Sequence, residues 1–455
     1  MPMMANFRKK TLRAKGAIPL LLTALVVTGC SGGLFGGGDD KNVTPTVGNR
    51  VPVLSRVESG AVVDPALAGV SVVLPPARVN ADWAMASSTP SKSYGHLALG
   101  ANPTPVWTAQ IEGSSSSRRL GAAPIVADGR LYAVDTAGTV HAFDAETGAR
   151  IWQYSADLAS DLRGTAFGGG LAVAGNRLFA SSGTGKVVAL DTANGSEVWS
   201  ATPAGPLRDS PTLAFNLVLV VTQDNRIIAL DQSDGSISWQ ESGSLAQAGV
   251  FGVASPAAGQ GTVVAGYSSG ELVAYRYENG RVLWADALAR TSISTEVGSI
   301  SDIDADPIID QGRVYALGQG GRMAAYELVT GQRVWELNLS GISTPALAGE
   351  WLFTLTSDAR MLAIARATGK VRWITQLARY RDEEDRKGPI FWTGPVLASN
   401  MLYVANSRGQ LWQLSTGEGS ANMLTELKNP VSLPPIVANN TLYVLDDGGT
   451  ITAFR

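Results

Sequence analysis

One cysteine, Cys30, and two histidines, His96 and His141, are all that this chain of 455 residues carries of two residue types much used in disulfides, metal sites and catalysis. A single thiol excludes an intrachain disulfide, so stability in an oxidising compartment has to come from packing. No metal-ligand cluster, no Ser/His/Asp spacing and no phosphate-cradling glycine loop stands out. His141 falls in a repeated strand position filled elsewhere by Val, Ile, Ala, Leu, Trp and Thr, which marks it as a tolerated sheet residue. Charged residues make up only 16% of the chain, and acidic ones are missing altogether from positions 1–29. Setting those positions aside leaves 31 basic against 39 acidic residues, a net charge of −8. Such a balance gives no general attraction for nucleic acid or anionic lipid.

What stands at the N-terminus is a targeting signal. Arg8, Lys9, Lys10, Arg13 and Lys15 precede an apolar stretch, 18–27, too short to span a bilayer, and no other stretch is apolar for long enough to do so. It ends in Val27-Thr28-Gly29-Cys30, which resembles the bacterial lipobox. The resemblance implies cleavage before Cys30 and acylation of its thiol, since several acyl chains anchor a protein durably where one does not. An ordinary secretory signal is the alternative, and it requires the only cysteine to fall at the cut by chance. Ser31 follows, and in lipoproteins a residue other than Asp there favours sorting to the outer membrane. Residues 30–104 are rich in Gly and Pro and read as an extended tether and lead-in. Their one short apolar stretch, 70–74, has two readings open, a paired strand or a segment docked on the domain.

From Trp107 the chain repeats. Trp recurs at 107, 152, 199, 239, 284, 335 and 373, and each of the last six lies four residues after a Gly (148, 195, 235, 280, 331 and 369). A period near 45 residues indicates a propeller or solenoid. The strand before each Gly turn carries Val140, Val187, Ile227, Leu272, Met323, Met361, Leu411 and Ile451 in one column. Two residues later stand Ala142, Ala189, Ala229, Ala274, Ala325, Ala363, Gln413 and Ala453. Period-two spacing puts both columns on one face, and the small one lets a neighbouring sheet approach. The turn into that strand holds Gly138, Gly185, Asn225, Gly270, Gly321, Ala359, Gly409 and Gly449, a pattern that demands positive φ, with Ala359 as the exception. Eight copies fit an all-β, eight-bladed propeller of four-stranded antiparallel blades over 105–455. The last copy stops after its third strand at Arg455, while an orphan strand, 105–111, precedes the first. Pairing the two closes the ring and removes its open edge.

The Ala-Leu-Asp-x-x-x-Gly-x-x-x-Trp unit, plain at 189–199, resembles the repeat of pyrroloquinoline-quinone (PQQ) enzymes and their non-enzymatic relatives, and Asn80-Ala-Asp82-Trp83 resembles their lead-in. The repeat specifies fold, not function. PQQ dehydrogenases usually carry a vicinal cysteine pair, which a chain with Cys30 alone cannot form. Lipobox, near-minimal blades and missing cofactor residues together resemble the BamB family of envelope lipoproteins. That resemblance implies a non-catalytic scaffold without cofactor or metal. It implies a periplasmic protein, lipid-anchored in the outer membrane, that binds the POTRA domains of a BamA-type barrel and helps outer-membrane proteins fold. A quinoprotein dehydrogenase, or an envelope scaffold for another partner, are the alternatives.

The longest interval between tryptophans, from 284 to 335, has its extra length in 290–306. Long loops on a fixed scaffold are where binding concentrates. By resemblance to the family's Ser-Asp-x-Asp motif, Ser301, Asp302 and Asp304 are partner-contact candidates, against the plainer reading of a solvated acidic turn. A calcium loop is disfavoured because Pro307 and Arg313 stand where an EF-hand needs Gly and Glu. Where the family commonly has Leu-Arg-Gly, this chain has Gly249-Val250-Phe251-Gly252, so Val250 and Phe251 would supply an apolar anchor in place of a charge. Leu162-Arg163-Gly164 occurs two blades earlier and is read as coincidence. The mixed-charge run 379–387 reads as a solvated loop tip, with a partner contact as the lesser reading.

Overall fold

Each Gly-x-x-x-Trp unit folds as the outer hairpin of a four-stranded antiparallel sheet, and eight such sheets make an eight-bladed β-propeller. The computed structural model describes residues 61–156, 165, 168–207, 210–244, 254–288 and 302–455. Blade 1 consists of the strands Ile125–Ala127, Arg130–Val134, Val140–Asp144 and Arg150–Tyr154. Blades 2 to 7 span 171–201, 212–242, 257–287, 308–337, 346–376 and 392–426. Blade 8 takes three strands from 436–454 and its outer strand from Pro105–Gln110. The pairing runs Pro105 to Phe454 through Gln110 to Thr450, so the ring closes as the sequence predicts.

The repeated tryptophans act between blades. Trp152, on the outer strand of blade 1, donates its indole N–H to Thr192 O of blade 2 at 2.9 Å. Beneath its ring lies Gly195 of blade 2, at φ +74°, where an added Cβ would stand 2.6 Å from a ring carbon. The same arrangement joins Trp107 to Gly148, Trp199 to Gly235, Trp239 to Gly280, Trp284 to Gly331, Trp335 to Gly369 and Trp373 to Gly419. The glycine serves a left-handed turn and, by lacking a side chain, admits the preceding blade's indole. The alanine column sits directly across from these rings, with Ala142 facing Trp152 and Ala453 facing Trp107. A larger residue there would compete with the indole within its own sheet.

The exceptions follow from closure. Blade 7 carries Met423 where the others have Trp, and it is 49% exposed. Its neighbour, blade 8, has no hairpin between third and fourth strands, because its fourth strand, Pro105–Gln110, comes from before blade 1. No glycine turn is present in blade 8 to receive an indole, and Gln413 replaces alanine in blade 7. The eight turn residues before the third strands all have positive φ, Ala359 included at +61°.

Part of the lead-in departs from the expected tether. Val63 pairs with Val371 on the outer strand of blade 6, and Arg372 donates to Val70 O at 2.6 Å. The stretch 70–74 therefore lies docked on the domain, with Val72 and Leu74 against the core. Residues 80–97 then contact the innermost strands of seven blades: Trp83 with Val126, Ala84 with Val173, Lys92 with Thr212, Pro90 with Ala258, Ser91 with Ile309, Leu97 with Ala398 and Asn80 with Val437. A segment touching seven inner edges lies across the axis of the ring. His96 clamps it, its Nδ1 against Pro75 O at 2.7 Å and its Nε2 accepting the Asn400 N–H at 2.9 Å. Trp83, Met85, Tyr94 and Leu97 are buried with it.

Candidate partner-binding face

In every blade the connection to the next blade and the turn between second and third strands emerge on one face. The axial segment enters from the opposite face, at the turns bearing Asp128, Ser399 and Asn439. The described end of the 290–306 loop, residues 302–306, lies on the first face between blades 4 and 5. Its backbone is pinned from both sides: Ile303 N–H donates to Tyr267 O at 3.2 Å, and Gln319 N–H donates to Asp302 O at 2.8 Å. Ile303 is buried over Gly266, where a Cβ would come within 2.4 Å of Ile303 Cγ2.

This docking draws the two aspartates inward. Asp302 is only 1% exposed, so its carboxylate is not presented to solvent. Asp304 is half-buried, and its Oδ2 has no hydrogen-bond partner among the described residues. Burial, and then the neighbouring Asp302 charge, push its pKa up to about 7. A carboxylate that the fold desolvates without compensating is a functional candidate. Because the folded-state pKa lies above the ordinary 3.8, the neutral acid has no penalty below about pH 4, and stability falls as pH rises to about 7. Asp304→Asn is therefore expected to stabilise the protein at pH 8 by on the order of 2–4 kcal/mol and to be nearly neutral at pH 4. Urea unfolding at the two pH values checks this, and equal effects at both would refute it.

Asp306 has a role the sequence did not signal. Its carboxylate accepts the Ser255 N–H and the Ser87 hydroxyl, each at 2.8 Å, and its own N–H donates to Thr344 Oγ1 at 2.9 Å. It ties the entries of blades 4, 5 and 6 to the axial segment. Both of its oxygens are engaged in these tethers. His141 likewise has a structural partner, Asp135, at 2.8 Å within the sheet. Cys30, Val250, Phe251 and Ser301 lie outside the described residues. The 379–387 run forms an antiparallel hairpin, Tyr380–Asp382 with Lys387–Pro389, whose tip is solvent-exposed as expected from the sequence.

Comparison with known proteins places this scaffold. A family model described as outer membrane protein assembly factor BamB matches residues 97–165 and 137–375. The chain belongs to the BamB family. The BamB of Yersinia pestis is 25% identical over 359 residues, covering 78% of this chain and 89% of that protein. The BamB of Vibrio cholerae is 29% identical over 351 residues, covering 77% and 88%. The crystal structure of BamB from Moraxella catarrhalis superposes with a TM-score of 0.66 at 22% identity, covering 78% of this chain and 99% of that one. Quinohemoprotein alcohol dehydrogenase from Comamonas testosteroni reaches 0.64 at 14% identity, covering 83% and 81%, a likeness of fold alone. The family-model match begins at residue 97 and ends at 375, so the axial segment before Leu97 and the 380–389 hairpin both lie outside that match.

Proposed function

We propose that this chain is a non-catalytic scaffold of the outer-membrane protein assembly machinery, anchored through a lipid on Cys30 at the periplasmic face of the outer membrane. In this reading it holds the POTRA domains of a BamA-type barrel against the face that carries the 290–306 loop. Asp304, Ser301, Val250 and Phe251 form the contact, with Asp302 as the buried anchor of the loop. The observation that carries it is the BamB family match together with the uncompensated Asp304 carboxylate on that loop. Binding of purified POTRA domains is expected to weaken at least tenfold in Asp304→Asn while the fold becomes more stable. Unchanged affinity would remove the site assignment.

The dehydrogenase reading draws support from the shared fold. Against it, Ser87, Lys92 and Met85 of the chain itself occupy the axis where a ring of blades has room for a ligand. An absorption spectrum of the purified protein tests this, and a stoichiometric quinone band would overturn the scaffold reading.

A further inference from the structure

The hairpin between blades 6 and 7 is a small sheet of its own that joins no blade. A two-stranded hairpin is marginal by itself, and here only its base is tied down. Trp392 donates its indole N–H to Ala378 O at 2.8 Å, Ile390 is buried, and Phe391 exchanges bonds with Ser407. Residues 381–389 are all exposed.

Its charges are not equivalent. Glu383 accepts the backbone N–H groups of Arg379 and Tyr380, Asp382 accepts that of Asp385, and Asp385 pairs with Lys387 at 2.6 Å. Three of the four acids are thus spent on holding the turn. Arg379, Arg381 and Arg386 have no carboxylate partner among the described residues. The Arg381 stem lies across Gly388, whose added Cβ would meet it at 3.1 Å, so the guanidinium is carried outward. At the base Phe391 is 70% exposed, beside Trp392, which stands edge-on to Trp412 with ring centres 5.9 Å apart. Outward arginines beside an exposed aromatic are the residue types that dominate protein interfaces. The hairpin also offers a strand edge unpaired among the described residues, the template for strand addition.

We propose that this hairpin is a docking arm for an extended, acidic segment of a partner protein. The partner's carboxylates meet Arg381 and Arg386, its backbone pairs along the hairpin edge, and an apolar side chain covers Phe391. The arm is net neutral, four basic against four acidic residues over 379–387, so it has no general attraction for an anionic membrane, whereas single carboxylates can pair one at a time with Arg381 and Arg386. The arm stands on the same face as the 302–306 segment but does not depend on that segment's role.

The test uses the full chain in detergent and two labelled twelve-residue peptides, one alternating Thr or Val with Glu, the other with Lys. Fluorescence anisotropy at low salt is expected to show binding of the Glu peptide alone. That binding should weaken at least tenfold in the Arg381→Glu/Arg386→Glu double variant and several-fold in Phe391→Ala, with thermal midpoints unchanged because these side chains are exposed. Equal binding of the Lys peptide, or undiminished binding in the double variant, would overturn the proposal. So would capture by phosphatidylglycerol vesicles, lost in the double variant, without binding of the Glu peptide.

Discussion

Replacing Trp83 by alanine is expected to lower the stability of the propeller by about 3–5 kcal/mol, the range for removing a buried indole. Trp83 is 5% exposed although it precedes every blade. Its backbone exchanges two hydrogen bonds with Val126 on the innermost strand of blade 1, at 2.7 and 2.9 Å, and its ring lies 5.0 Å from that of Tyr94. Loss of the ring leaves a cavity between the axial segment and the inner strands, which cannot collapse because seven blades hold their positions. Calorimetry should show a midpoint lowered by roughly 5–10 °C. Hydrogen exchange should show lost protection at Val126 and along 80–99 before the outer strands respond. Val79→Ala, at an exposed site in the same segment, is the control and should change neither. An unaltered midpoint in the Trp83 variant would show that the segment merely rests on the ring.

Gly195→Ala should cost about 3 kcal/mol or more, whereas Gly129→Ala should cost only about 1–2 kcal/mol. Both glycines have positive φ, +74° and +69°, so the backbone penalty for a Cβ is shared. They differ in what the Cβ meets: the Trp152 ring at 2.6 Å in one case, nothing within 4 Å in the other. The difference between the two variants therefore isolates the wedge of an indole beneath the next blade's turn. Trp152→Ala combined with Gly195→Ala should recover part of the loss attributed to Gly195, because the clash disappears with the ring. A double variant with purely additive losses would show that the contact is not the cause.

Much of this molecule is written locally. The glycine turns, the apolar and small columns and the two incomplete copies at the ends all lie within a few residues of what they determine. Ring closure between Pro105–Gln110 and Thr450–Phe454 was accordingly legible, whereas Ala359, the residue that breaks the Gly/Asn pattern, adopts the same positive φ only in the structure. The lead-in was not. Its prolines and polar residues have the composition of a linker, and its burial draws on partners 300 residues or more away, such as Val437 for Asn80 and Ser399 for Leu99. No local pattern encodes such contacts. The acidic loop shows the same divide, since Asp302, Asp304 and Asp306 look alike in sequence yet end up buried, half-buried without a partner, and fully bonded.

The sequence by itself determined the repeat, the four-stranded blades and the joint between the first and last strands of the propeller, because backbone sterics and strand periodicity act over a few residues. Only the tertiary structure decided that residues 80–97 cross the axis, that Asp304 keeps an oxygen without a partner among the described residues, and which arginines of the hairpin stay without a carboxylate partner among them. Those outcomes depend on desolvation and hydrogen-bond partners, which come from whatever the fold brings alongside.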